Sequence, residues 1–67
     1  YWRDLGIAAP ARRGLVDGKL YTLGDLQRIT GSELLEIHGM GPKAADVIRK
    51  EMKRKRIHFR PEASRNI

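Results

Sequence analysis

The 67-residue chain contains no cysteine, which excludes a disulfide framework and a thiolate metal site and leaves nothing that points to an oxidising compartment. Aromatic residues are few: one Trp, one Phe and two Tyr, without the interleaving that a base-stacking platform needs. Apolar runs reach only a few residues, and no charged-then-apolar leader precedes them. A membrane span and a signal peptide are therefore not read here, and a soluble, cytoplasmic location is the default expectation. A start at Tyr1 rather than Met fits a domain excised from a longer protein. No strand-rich stretch, heptad array or low-complexity region occurs. Acidic residues are also scarce, 8 Asp and Glu against 14 Lys and Arg.

The resulting net charge of +6 and pI of about 10.3 are large for one small domain. They suggest a polyanionic partner, nucleic acid ahead of a membrane surface. The competing interpretation is that the cations merely keep a small domain soluble, so their positions must decide.

Trp2, Leu5 and Ile7 form a short apolar cluster, with Trp2 expected as a lid on the core. Ala8-Ala9-Pro10 is read as a helix entrance, Pro being tolerated in a first turn that lacks internal acceptors. That helix should run from about Ala9 to Val16, with Ala11, Leu15 and Val16 inward and Arg12 and Arg13 outward, and should end at Asp17-Gly18 through a left-handed Gly18. Leu23, Leu26 and Ile29, spaced by three, suggest a short helix capped by Thr22. Thr30-Gly31-Ser32-Glu33 matches a capping box and opens another, carrying Leu34, Leu35 and Ile37. A last helix is expected from Pro42 to Lys53 or Arg54. Its inward side is Ala44, Ala45, Ile48 and Met52, with Val47 at the margin. Ile57 and Phe59 alternate with polar residues and read as an extended segment folding back on the core. The expectation is an all-α chain, a compact bundle of four or five short helices forming one domain over residues 1–60, with a frayed tail at 61–67.

The stretch from Ile37 to Lys43, Ile-His-Gly-Met-Gly-Pro-Lys, joins the last two helices. Two glycines around one apolar residue turn the backbone tightly, and Pro42 pre-sets φ for the first helical turn. The free amides and positive dipole end of the following helix suit an anion such as phosphate. Lys43, Lys50 and Arg54 return to nearly the same azimuth, because steps of seven and four are close to whole turns. They form a basic stripe that begins at the hairpin. The candidate phosphate-binding residues are thus Gly39, Met40, Gly41, Lys43, Lys50 and Arg54, with secondary DNA contacts from Arg12 and Arg13.

The segment from Leu34 to Ile48, with its Gly39-Met40-Gly41 core, resembles a helix-hairpin-helix motif, with His38 where that family commonly has Pro. Across Leu5 to Phe59, including Leu20-Tyr21-Thr22-Leu23-Gly24-Asp25-Leu26, the chain is similar to the C-terminal domain of the bacterial RNA polymerase alpha subunit. The resemblance implies a SAM-like bundle of two helix-hairpin-helix-like halves and use in minor-groove and phosphate binding. It carries the hairpin glycine onto Gly41 and a basic contact onto Lys43. It also permits a monovalent cation at the hairpin carbonyls. The chain departs from that family at Ala44, where a small hydroxyl residue is usual. It departs again at Ala8-Ala9-Pro10-Ala11, where an Arg and an Asn would enter the groove.

His38 and His58 have no second ligand at helical spacing, and Glu36 and Asp46 flank the hairpin without a nucleophile or pocket, so no enzyme, metal or cofactor is expected. The function read from the chain is a DNA-binding domain, monomeric and nucleoid-associated, that grips double-stranded DNA backbone with little sequence preference. Neutralising three or four phosphates would give a log-affinity against log-salt slope of roughly −3 to −4. The alternative is a protein-interaction module on the same scaffold, docking to transcription or repair machinery, favoured if Trp2, Ile57 and Phe59 form an exposed patch. The hairpin would then serve only to pack two helices, with Met40 as a plug.

Overall fold

Ala11 and Leu15, four residues apart, lie on one face of a helix, and both are buried in the first α-helix, α1 (Ala9–Asp17). In the computed structural model, which describes residues 1–62, two further α-helices follow: α2 (Gly31–Leu35) and α3 (Pro42–Lys55). Short 3-10 turns occupy Arg3–Leu5 and Leu23–Arg28. No strand occurs among the described residues, which are all-α. None of the helices is long and apolar enough to cross a membrane.

Val16, expected inward, is 47% exposed, because one residue past Leu15 is about 100° round the helix and off the core face. Gly18 does not take the left-handed conformation either; its φ is −88°, and Lys19 takes that conformation instead, with φ of 61°. The reason lies one residue on. The Leu20 amide donates to the Leu15 carbonyl at 2.8 Å, a six-residue closure that sets the left-handed residue immediately before Leu20. This delivers the Leu20 side chain into the core. Trp2 lies buried as its lid, its indole N–H donating to the Leu20 carbonyl at 2.7 Å.

The short helix expected after Thr22 is present over Leu23–Arg28 and is of 3-10 type. Apolar residues spaced strictly by three match three residues per turn, and Leu23 and Leu26 are buried in line, with Ile29 half-buried behind them. The Asp25 carboxylate accepts from the Tyr21 and Thr22 amides at 2.8 and 3.0 Å. At α2 the capping box is formed as expected: the Glu33 amide donates to Thr30 Oγ1 at 3.1 Å and the Thr30 amide to Glu33 Oε1 at 2.8 Å. Leu34 is buried, whereas Leu35 turns outward.

α3 packs on α2 and presents Ala45, Ile48 and Met52 to the core, while Ala44, expected inward, lies at the margin with Val47. It ends by the device used in α1. Arg56 is left-handed at φ 59°, and the Ile57 amide donates to the Met52 carbonyl at 2.9 Å. The chain then runs back over the 3-10 turn and α2. Ile57 and Phe59 pack on the core, the Arg60 amide donates to the Ile29 carbonyl at 2.8 Å, and the Arg60 guanidinium pairs with Glu33 at 3.1 Å. Of the tail at 61–67, Glu62 accepts from the Ser32 amide and hydroxyl, each at 3.1 Å. Residues 63–67 lie outside the described residues.

Candidate nucleic-acid interface

The turn between α2 and α3 is closed by two amides: Ile37 donates to the Leu34 carbonyl at 3.2 Å and Met40 to the Ile37 carbonyl at 3.0 Å. Gly39 sits between them with φ of 86°, a conformation that a side chain disfavours. A Cβ there would also overlap the carbonyl of Pro10, while one on Gly14 would overlap the His38 carbonyl and come within 2.6 Å of the Ile37 side chain. The absence of two methyl groups thus lets the hairpin seat directly on α1 between Pro10 and Gly14. Gly41 differs. Its φ of −99° is open to any residue, and a Cβ on it would meet nothing within 4 Å.

Seating the hairpin on α1 brings the starts of α1 and α3 together. A pocket of about 150 Å³ between them is lined by Gly6, Ala8, Lys43, Ala44 and Val47. Ala8 and Gly41 are the residues at the helix entrances, and neither supplies a side-chain cap. Pro10 and Pro42 occupy the first turns. Among the described residues, the Lys43 and Ala44 amides have no protein acceptor. By contrast, a carboxylate serves the starts of the 3-10 turn and of α2, from Asp25 and Glu33. Of the three α-helices, the two whose starts lack a side-chain cap, α1 and α3, are the two that converge.

Lys43 is exposed, and no carboxylate pairs with it among the described residues. Lys50 and Arg54 are exposed on the same side of α3, about 10 and 16 Å further along the axis at 1.5 Å per residue. They are not free cations. Lys50 pairs with Asp46 at 3.0 Å, and Arg54 forms a two-pronged pair with Glu51, its Nε donating to Oε1 at 3.2 Å. The Arg54 hydrogen bond holds the Glu51 carboxyl below its ordinary range, and Glu51 in turn raises the Arg54 pKa. These pairs were legible as acid-base spacings of four and three on one helix. Met40 is half-buried against the core and its amide is spent on Ile37, so it shapes the hairpin and offers no donor. Arg12 is half-buried and Arg13 exposed; with Ala9, Val16 and Asp17 they line a shallow depression on α1. The contribution of the α1 entrance, through Ala8, had no side-chain signal because it consists of backbone.

Among the described residues, no three His, Asp or Glu gather as a metal site. Compared with protein-family models, curated proteins and solved structures, the chain matches none.

Proposed function

We propose that the chain is a helix-hairpin-helix-type domain that binds double-stranded DNA through the phosphate backbone with little sequence preference. The observation that carries this reading is the convergence of two uncapped helix entrances beside the unpaired Lys43. Free amides and dipole ends favour an anion there, and Gly41 leaves the approach to the backbone open. A phosphate held by the Lys43 and Ala44 amides would place its neighbours along the α3 face. Lys50 and Arg54 would then exchange their carboxylates for phosphate oxygens. Surface ion pairs are worth only about 0–1 kcal/mol, so the exchange is cheap.

Sequence readout is not expected. The side chains of Ala8, Ala9, Pro10 and Ala11 carry no donors or acceptors for base edges. The reading invokes neither catalysis nor a cofactor, and a monomer is sufficient for it. Fluorescence anisotropy of a labelled duplex across a salt series tests it. Three phosphates neutralised by Lys43, Lys50 and Arg54 give a slope of roughly −3, similar for unrelated sequences. Affinity unchanged by salt, or no binding at low salt, would overturn the reading.

A further inference from the structure

We propose a second, independent binding surface at the end of α3, which takes an acidic peptide segment anchored by one large apolar side chain. A pocket of about 200 Å³ opens there, lined by Arg49, Met52, Lys53, Ile57, His58 and Phe59. Its floor is apolar. Met52 is buried, and Ile57 and Phe59 lean on the core while remaining partly exposed. An enclosed apolar cavity of about 150 Å³ accommodates a benzene ring, so this pocket has room for a single phenyl-sized side chain.

The rim is cationic and, among the described residues, contains no carboxylate. Arg49 and Lys53 are exposed one turn apart, and among the described residues neither forms an ion pair. The neighbouring cations Lys50 and Arg54 are instead held by Asp46 and Glu51. Arg49 lies six residues beyond Lys43, about a third of a turn round the helix, so the pocket does not share the hairpin's face. The charge at the rim calls for acidic residues, and the apolar floor distinguishes the occupant from a nucleic acid backbone, whose phosphates would gain nothing from Ile57 and Phe59. An aromatic or aliphatic anchor flanked by Asp and Glu satisfies both. Trp2 is buried and takes no part in this surface, whose apolar residues are Met52, Ile57 and Phe59.

The test is a titration of isotope-labelled protein with the blocked hexapeptide Asp-Glu-Asp-Phe-Glu-Asp, beside a control with Ser in place of Phe. The expected result is amide shifts at Arg49, Met52, Lys53, Ile57 and Phe59 but not at residues 39–44, with the control at least tenfold weaker. The double variant Arg49→Glu/Lys53→Glu should lose tenfold or more in peptide affinity while melting at the same temperature as the parent. Equal binding of the two peptides would reduce the surface to simple charge attraction and overturn the proposal. So would a duplex or single-stranded oligonucleotide that shifts the pocket amides as strongly as the peptide does. Duplex binding at the hairpin is measured separately, so either site can fail while the other stands.

Discussion

The carbonyl of Pro10 occupies the place where a side chain on Gly39 would have to go. This contact ties the hairpin to α1, and it separates two glycines that look equivalent in the sequence. Gly39→Ala must hold a left-handed φ, at about 1–2 kcal/mol, and must also push α1 away. A loss of at least about 2 kcal/mol is expected, lowering the melting temperature by roughly 10 °C for a domain of this size. Gly41→Ala should cost under about 1 kcal/mol yet weaken duplex binding, because its methyl group points into the space a phosphate would enter. Thermal melts and duplex titrations of the two variants check this; equal destabilisation would contradict it.

Gly14→Ala tests the same contact from the other side. Alanine in place of an exposed glycine inside a helix usually stabilises by about 1 kcal/mol. Here the sign should reverse, since the methyl group would overlap the His38 carbonyl. A chemical-denaturation midpoint below that of the parent is expected, with amide shifts concentrated at residues 37–40.

The pairs on α3 make a prediction that runs against simple intuition about activity-lowering mutations. Asp46→Asn and Glu51→Gln release Lys50 and Arg54. Each should strengthen duplex binding, by up to about fivefold if the pair is worth 1 kcal/mol, and together they should steepen the salt slope. Weaker binding by the double variant would show that these cations do not meet phosphate.

Acid should loosen the fold at two capped turns. Glu33 is held below its ordinary pKa of 4.5 first by the Thr30 amide and then by Arg60. Asp25 is held below 3.8 by the Tyr21 and Thr22 amides, with Arg28 nearby. A carboxyl with a lower pKa when folded contributes stability above its unfolded pKa and loses it as pH falls through the folded one. The melting temperature should therefore be flat from pH 7 to about 5 and fall below about pH 4.5. Glu33→Gln should reduce that fall; a melting temperature that rose on acidification would contradict the sign.

Much of this fold is readable where local chemistry decides it. The Thr30 and Glu33 capping box, the span of α1 and α3 and the inward set Ala45, Ile48 and Met52 all follow from residue type and period. What escaped was set by tertiary contacts. Lys19 rather than Gly18 turns left-handed because Leu20 must reach the core. At the site, Lys43 and the glycines were visible as side-chain signals. Ala8-Ala9-Pro10 was legible as a helix entrance, but its meeting with the hairpin was not, since that depends on the packing of Gly39 against Pro10 and of Gly14 against His38. Trp2 could have been part of an exposed patch or a lid, and its hydrogen bond to Leu20 decides for the lid.

The central claim is that DNA is held where the hairpin meets α1. Its most direct test is a map of backbone amide shifts as a short duplex is added at low salt, with Lys43→Glu as the companion variant. The account predicts shifts concentrated at Gly39, Gly41, Lys43, Ala44 and the start of α1, weaker ones at Lys50 and Arg54, and loss of the map in Lys43→Glu without a change in melting temperature. An undisturbed hairpin at saturating duplex, or full binding by Lys43→Glu, would contradict it.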